Sequence, residues 1–384
     1  YFQFVSTALI VWLAMTGILN LIKGRMIFKG GKWARLFLLF YILSVAFGVV
    51  VGLMRGNPWA YVLGDARNVI IYLSLFAIND VNNSDFGKKL YGLFAVVCII
   101  VLIKLCLGFI TFSLAASTLA FRSRLLLKLS SYLMCMSLLA LTMMVMVQKP
   151  NWKDSLMFFL CSIGTFLSQT RGLFLGLGAG FLTLFVIFLF KRRSIRLIFP
   201  LAIICALGLL TSVVVWSDPT VTFGNWKSEQ IEGGMTIRVV QANTLMKLFI
   251  NNPIVGVGFG GYDPDYERFD EELRRPYIQE LEYHNLLAKQ GIVGTVFLVS
   301  AFGFLFYECW RGIRKASSPE NLGLIVGFMA GLVALLVASA TNPLFSSIYF
   351  HSYVVLLLFV LSAVRASTMK DGHYSLPLRK KSMF

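Results

Sequence analysis

The run LEYHNLLAKQGIVG, residues 281–294, ends the long polar interval around which this sequence is organised. The interval extends from Trp216 to His284 and holds 11 of the 18 acidic residues of the chain. Of the 384 residues, 58% are hydrophobic and only 14% are charged, and the mean hydropathy is +0.76. A chain of this length cannot bury so much apolar surface in a water-soluble core. The sequence therefore predicts an all-α polytopic membrane protein.

Long apolar runs mark the transmembrane helices of this protein. About eleven runs are visible, and a twelfth helix is expected before residue 1, because eleven spans with a cytoplasmic C-terminus would leave that residue outside. The predicted organisation is N-terminal transmembrane helices over 1–216, one large exported helical loop over 217–284, and C-terminal transmembrane helices with a cytoplasmic tail over 285–384. The eleven runs are 4–22, 35–54, 59–78, 89–110, 129–147, 153–168, 172–190, 195–216, 285–308, 322–341 and 350–366.

The distribution of charge orients these spans. A net charge of +17 could indicate nucleic-acid binding, but the basic residues form short clusters between apolar runs, where they fix membrane orientation. Outside 217–284 there are 29 basic and 7 acidic residues, whereas inside there are 6 basic and 11 acidic ones. This reversal indicates that the loop is exported, and we expect a lipid bilayer and no nucleic acid among the partners.

Three arginines on the exported side depart from this charge rule. Arg55 precedes the turn Gly56-Asn57-Pro58, and Arg122 and Arg124 lie in the connection 111–128. Two interpretations are open: the arginines contact lipid headgroups, or they help to bind a phosphate-bearing lipid near the outer leaflet.

Charged residues at membrane depth are costly and are therefore candidates for function. Asp65 and Arg67 lie near the outer end of their predicted span, where a structural pair or snorkelling is favoured over chemistry. Arg171 differs from them, because it stands after Ser168, Gln169 and Thr170 in FLSQTRGLFLGLGAG, residues 166–180, with a small-residue helix behind it. Polar residues packed at this exported junction indicate a lined cavity.

Within the loop, MTIRVVQANTLMKLFINNPIVGVGFGGY, residues 235–262, predicts an amphipathic helix that stops at Asn251-Asn252-Pro253 and passes into a glycine-rich turn. Arg238 lies in the first turn of that helix, where a basic residue opposes the helix dipole, so its placement indicates an anionic partner. The glycines lack the strand and helix context of a nucleotide fingerprint. Close backbone packing explains them better.

His284 stands at the exported mouth of the ninth span, beside Glu282 and Asn285. A lone histidine is usually structural, but its position opposite two exported arginines favours function. Two guanidinium groups can hold a pyrophosphate and neutralise the charge on a leaving group. A histidine with an ordinary pKa of about 6.5 can take a proton from a hydroxyl. The set predicts a lipid-linked sugar pyrophosphate as substrate.

Three segments together resemble the O-antigen ligase and O-antigen polymerase superfamily, membrane glycosyltransferases that act on polyprenyl-pyrophosphate-linked glycans. The segments are SQTRG at Arg171, IRVVQA…NNPIVGVGFGGY at Arg238, and EYHNLLAKQGIVG at His284. The resemblance implies about twelve spans, a large periplasmic loop between late helices, and glycosyl transfer without a metal or another cofactor. It assigns Arg171 and Arg238 to the pyrophosphate and His284 as the base. The further residues predicted to bind substrate are Arg55, Arg122, Arg124, Gln241, Glu282 and Asn285.

The acceptor divides this superfamily, and the turn TNPLFSS, residues 341–347, favours a polymerase. A polymerase transfers the glycan from undecaprenyl pyrophosphate to the next lipid-linked repeat unit, whereas a ligase transfers it to lipid A core. Both would act at the periplasmic face of the bacterial inner membrane. A flippase or transporter of lipid-linked oligosaccharides, and a structural membrane partner, remain open alternatives.

Overall fold

The computed structural model consists of α-helices joined by turns and loops. Among the residues that it describes there is no β-strand, in agreement with the predicted all-α class. The described residues are 15–16, 18–20, 31–76, 86–114, 119–146, 151–167, 170–190, 228–263, 281–316 and 318–374. Their main helices are α1 (Lys32–Met54), α2 (Trp59–Ala66), a 3-10 helix (Arg67–Phe76), α3 (Phe86–Leu114), α4 (Leu119–Met146), α5 (Trp152–Leu167), α6 (Arg171–Phe190), α7 (Ser228–Asn251), α8 (Glu282–Lys315), α9 (Pro319–Ser339) and α10 (Ile348–Tyr374).

Six helices within these ranges are long and apolar enough to cross a membrane, namely α1, α3, α6, α8, α9 and α10. They coincide with six of the eleven predicted spans. Two further predicted spans correspond to shorter helical stretches, the apolar part of α4 (Ser130–Met146) and the 16-residue helix α5. The predicted span 195–216 lies outside the described residues, as does nearly all of 4–22. The chain is a multi-pass membrane protein.

The predicted span 59–78 is not one continuous α-helix. Its first part is the 8-residue helix α2, and its second part is a 3-10 helix of 10 residues. A 3-10 helix rises about 2.0 Å per residue against about 1.5 Å in an α-helix, so the two parts together extend over roughly 32 Å, close to the thickness of a bilayer core. The prediction of a single α-helix was wrong because hydropathy reports the length of an apolar run and not its winding.

Glycines allow the closest approach between α4, α6, α9 and α10. A Cβ atom on Gly331 would collide with the hydroxyl of Tyr353, and one on Gly327 would collide with Thr142 Oγ1. A Cβ atom on Gly176 would lie 2.5 Å from the carbonyl oxygen of Ala334. Lipid is as apolar as the helix surfaces, so transmembrane helices associate through close packing of this kind. These contacts also fix the antiparallel register of α9 against α4.

Aromatic pairs hold α1 against α8 in an antiparallel arrangement. The ring centroids of Trp33 and Tyr307 are 4.6 Å apart near one end, and those of Phe47 and Phe297 are 6.4 Å apart near the other. Aromatic pairs of this type contribute about 0.5–1.5 kcal/mol beyond burial of their area. The end of α1 is thereby aligned with the start of α8.

His351 joins four parts of the fold at a fully enclosed position. Its Nδ1 atom lies 3.1 Å from the Tyr72 hydroxyl on the 3-10 helix and 3.4 Å from the Tyr41 hydroxyl on α1. The ring also hydrogen-bonds the backbone of Phe345, in the turn before α10. His351 is 2% exposed, so each of these polar groups depends on the others for its hydrogen bonds.

The basic clusters and the three motif segments lie at opposite ends of the helices. Lys32 and Arg35 begin α1, and Arg314 and Lys315 end the antiparallel helix α8. We refer to this as the basic end. The motif end is the opposite one, formed by the ends of α1 and α9 and by the starts of α6, α8 and α10.

Candidate functional site

Helix α8 is interrupted at Gly291, where φ is 59° and ψ is −165°. In an unbroken helix, the N–H of Ile292 would donate to the carbonyl of Ala288, and that of Val293 to the carbonyl of Lys289. All four groups bond to the loop after α7 instead. The N–H groups of Val257 and Gly258 donate to Ala288 and Lys289 (2.9 and 2.8 Å), and those of Ile292 and Val293 donate to Pro253 and Ile254 (2.8 and 3.1 Å). The loop and α8 thus form one hydrogen-bonded unit.

The glycines of this loop are required by its backbone. Gly256, Gly258 and Gly260 have φ values of 72°, 78° and 74°, a region that residues with a Cβ atom rarely adopt. A Cβ atom on Gly258 would also collide with the backbone of Gly52 in α1, and one on Gly260 would lie 2.7 Å from the backbone nitrogen of Val62 in α2. The predicted role of the glycine run in close backbone packing is confirmed.

The same loop is fastened to α1 and to the turn that follows it. The N–H of Phe259 donates to the carbonyl of Gly48 at 2.9 Å. The side-chain amide of Asn57 donates to the carbonyls of Val257 and Phe259, both at 2.9 Å. The glycine-rich loop is therefore held on one side by α8 and on the other by α1 and its turn.

A buried ion pair joins α8 to α2 beside the glycine-rich loop. The ammonium of Lys289 in α8 lies 2.7 Å from the carboxylate of Asp65 in α2, and the same carboxylate oxygen accepts the N–H of Gly260 at 2.8 Å. Their side chains are 5% and 12% exposed. A structural pair was expected for Asp65, but its partner is Lys289 and not the exposed Arg67.

Glu282 binds the turn between α9 and α10. One oxygen of its buried carboxylate accepts two hydrogen bonds from Ser346, at 2.6 Å from the hydroxyl and at 3.1 Å from the backbone N–H. The carbonyl of Ser346 in turn accepts the side-chain amide of Asn68 at 2.6 Å. The first turn of α8, the turn 340–347 and the 3-10 helix are joined by these three residues. Substrate binding by Glu282 stays a prediction.

Arg171 is the first residue of α6, and the next residue packs against the same turn. A Cβ atom on Gly172 would collide with the side-chain amide of Asn342. The start of α6 and the start of α8 therefore both abut the turn 340–347, through Gly172 and Glu282 respectively. The fold brings the Arg171 segment to the motif end.

Helix α7 carries Arg238 and ends at Asn251, as the sequence predicts. It begins at Ser228, so Arg238 is its eleventh residue, and the prediction that Arg238 lies in the first turn and opposes the helix dipole was wrong. It packs on α8, and among its residues 239–251, whose burial is described, the buried positions are Gln241 and Leu245. Position 238 precedes Gln241 by three residues, so positions 238, 241 and 245 share one face of the helix. The buried position of Gln241 agrees with a site at this face, and its contact with substrate stays a prediction.

His284 lies in the first turn of α8 and is half-buried. Its neighbour Tyr283 donates a hydrogen bond to the carbonyl of Leu336 at 2.5 Å, which anchors the start of α8 to α9. Within the described part of the chain, the imidazole of His284 makes no hydrogen bond. Asn285, which follows, is 7% exposed. The predicted base is therefore held by its helix while its ring nitrogens have no described protein partner.

The three arginines outside the motifs also belong to the motif end. Arg55 follows the last residue of α1 and is exposed. Arg122 and Arg124 lie in the first turns of α4. In the antiparallel register of α4 and α9, Gly327 lies beside Leu139 and Gly331 beside Cys135, and the same register carried further brings the start of α4 to the turn after α9.

Among the described residues, no group of three or more His, Cys, Asp or Glu side chains is arranged so that it could hold a metal ion. Arginine, histidine, carboxamide and hydroxyl groups are among the side chains at the motif end. Such groups bind anions and sugar hydroxyls and can move a proton.

Part of the sequence matches a known protein family. Residues 156–299 match the family described as O-antigen ligase, and the matched range contains Arg171, Arg238 and His284. This match supports the resemblance to the O-antigen ligase and polymerase superfamily that the three motif segments indicate. Among curated proteins, no match to the sequence was found. The assignment supports an enzymatic role and implies lipid-linked glycan and acceptor substrates in a membrane.

Several residues that build this site were not predicted from the sequence. They are Asn68, Ser346 and Lys289, together with the kink at Gly291. Asn68 could have been noticed as a neutral polar residue inside an apolar run. Its partner Ser346 is 278 residues away in the sequence, and nothing in the local pattern indicates that pairing.

Proposed function

We propose that this protein is a membrane glycosyltransferase that polymerises undecaprenyl-pyrophosphate-linked oligosaccharide repeat units of the O-antigen or capsule type. The observation that carries the proposal is the exchange of four main-chain hydrogen bonds between the loop after α7 and the kinked start of α8, inside the range that matches the family. The two joined segments contain Arg238 and His284, and Arg171 begins the helix that abuts the same end.

In the proposed reaction, His284 takes the proton from a hydroxyl of the acceptor sugar as that oxygen attacks the anomeric carbon of the donor glycan. The bond between the anomeric carbon and the pyrophosphate oxygen breaks, and undecaprenyl pyrophosphate leaves with the bonding electron pair. Arg171 and Arg238 bind the pyrophosphate and neutralise its growing charge, the task that a metal ion performs in other phosphate sites. Histidine is the side chain that most often serves as a general base in proton transfer near neutral pH.

The test is a transfer assay with the purified protein in lipid nanodiscs. Supplied only with undecaprenyl-pyrophosphate-linked repeat units, the protein should yield a ladder of longer chains. His284→Ala and Arg238→Ala should each abolish the ladder. Lys247→Ala should retain it, because Lys247 lies on the same helix as Arg238 and is exposed. Full activity of His284→Ala would refute the proposed base.

Ligation to lipid A core is the second candidate, because the matching family is described as O-antigen ligase. A ligase requires added core acceptor and transfers one glycan to each core molecule, so it gives no ladder from repeat units alone. A flippase would move the lipid-linked glycan across liposomes without forming a glycosidic bond. The same preparation can therefore be used to distinguish the three activities.

We further propose that residues 217–284 face the periplasm of the bacterial inner membrane. The separation of the basic end from the motif end supports this orientation, because basic clusters favour the cytoplasmic side. A cysteine introduced by Lys247→Cys should react with a membrane-impermeant maleimide in spheroplasts. A cysteine introduced by Arg314→Cys, at the basic end, should react only after lysis. The reverse pattern would overturn the orientation.

A further inference from the structure

Two enclosed carboxamide oxygens at the motif end have no hydrogen-bond donor among the residues that the structure describes. They are the Oδ1 atoms of Asn68, in the 3-10 helix, and of Asn285, in the first turns of α8. The two residues are 4% and 7% exposed. Buried acceptors without a donor are uncommon in folded proteins and call for an explanation.

Both asparagines belong to one junction. Asn68 binds the carbonyl of Ser346, and the hydroxyl and N–H of Ser346 bind Glu282, which lies one helical turn before Asn285. The Asn68 amide nitrogen faces a carbonyl oxygen, so the network fixes which end of that side chain is the acceptor. The junction thus holds the acceptor oxygen of Asn68 in place through Ser346 and Glu282.

Because these two oxygens can only accept hydrogen bonds, their ligand must be a hydrogen-bond donor. A carboxamide oxygen accepts hydrogen bonds and donates none, so it gains nothing from a pyrophosphate, which is also an acceptor. A sugar hydroxyl can donate. Each unpaired acceptor costs about 1–3 kcal/mol when buried, so a hydroxyl that pairs with it removes that cost upon binding.

We propose that the side-chain oxygens of Asn68 and Asn285 accept hydrogen bonds from hydroxyl groups of the acceptor sugar. This inference rests on the proposed glycosyl transfer. It assigns the acceptor because Asn285 lies at the same end of α8 as His284, the base that would deprotonate the acceptor hydroxyl. Ser346 and Glu282 act as positioning residues that hold the 3-10 helix against α8. The arginines bind the pyrophosphate and the asparagines bind the sugar.

The decisive variant is Asn285→Leu, which removes an unpaired oxygen while keeping the branching and the number of side-chain heavy atoms. The acceptor probe is one repeat-unit glycan on a short alkyl aglycone, which contains no pyrophosphate. The KM for this acceptor should rise about tenfold, the equivalent of one hydrogen bond of about 1.4 kcal/mol, while the KM for the lipid-linked donor stays within twofold. The apparent melting temperature should stay the same or rise, because the variant no longer buries an unpaired acceptor.

If the Asn285 oxygen has a structural role instead, for example by binding a water molecule, both results should be the opposite. The variant would then melt at a lower temperature, and its acceptor KM would stay within twofold of the unaltered protein, which would overturn the proposal. Asn68→Leu supplies a second measurement, with a similar rise in acceptor KM and some loss of stability, because the Ser346 carbonyl loses its donor. Asn321→Leu is the matched control near the basic end, where Asn321 binds Ser367, and it should leave both KM values unchanged.

The proposal can fail separately from the function on which it rests. If the unaltered protein forms no glycosidic bond, the proposed function fails, and binding of the same alkyl glycoside is then measured by titration calorimetry. Weaker binding to Asn285→Leu than to Asn321→Leu would support the sugar site. Equal binding to both would overturn it.

Discussion

Replacing Gly291 with alanine tests whether the kink in α8 holds the site together. The Gly291→Ala variant can either keep the kink or straighten α8, and both outcomes are unfavourable. If the kink persists, alanine must adopt a glycine conformation at about 1–3 kcal/mol, and its Cβ atom collides with the carbonyl oxygen of Ile254. If α8 straightens, two helical hydrogen bonds form but four bonds to the loop are lost, a net loss of two, or about 1–3 kcal/mol.

The predicted result is a lower apparent melting temperature in detergent and transfer activity reduced about tenfold or more, because a small displacement of His284 is enough to impair catalysis. Gly303→Ala is the matched control. Gly303 lies in the same helix, and a Cβ atom there would meet no atom within 4 Å. Alanine is favoured over glycine in a regular helix, so this control should be neutral or stabilising. Equal stability and activity of the two variants would refute the structural role of the kink.

Three further predictions concern stability, each measured by thermal unfolding of the purified protein. Lys289→Met leaves the Asp65 carboxylate without its cation and should destabilise the protein by about 3–5 kcal/mol. Adding Asp65→Asn should recover part of this loss, because the asparagine oxygen can still accept the hydrogen bond from the N–H of Gly260. If the double variant recovers no stability, the ion-pair argument is contradicted. Gly331→Ala should destabilise the protein by about 1–3 kcal/mol, because the added Cβ atom collides with Tyr353. Gly178→Ala should not, because the space around Gly178 is open. Equal stability of the two variants would argue against close packing between Gly331 and Tyr353. His351→Phe removes the hydrogen-bond acceptor of the buried hydroxyls of Tyr41 and Tyr72, and it should destabilise the protein by about 1–3 kcal/mol for each hydroxyl. The triple variant that adds Tyr41→Phe and Tyr72→Phe should be more stable than His351→Phe alone, because it buries neither unpaired hydroxyl.

Much of the fold follows from patterns that are local in sequence. Apolar runs locate the membrane helices because a span requires about twenty apolar residues whatever its neighbours are. The end of α7 at Asn251 and the tight backbone of the glycine run are equally local, and both predictions are confirmed. The 3-10 winding of residues 67–76 was missed because an apolar run allows either type of helix.

The contacts that complete the site are long-range, and this is why they were not predicted. Asp65 and Lys289 are 224 residues apart, and Ser346 lies 64 residues from Glu282. A sequence pattern can identify a charged residue at membrane depth as costly, but it cannot select its partner among several lysines and arginines. The family motifs did identify the segments that meet, and the roles of Arg171, Arg238 and His284 stay predictions.

The four hydrogen bonds that join the loop after α7 to the kink of α8 are made by main-chain atoms, and this has a consequence for protein engineering. Side chains at Ile254 and Val255 are exposed and take no part in the four bonds, so their chemistry can be varied to alter what lies above the site. The length of the loop cannot be varied in the same way. One residue inserted between Ile254 and Val257 would move two of the four bonds out of register with the other two. Libraries directed at this enzyme should therefore vary residue type in this segment and keep its residue count constant.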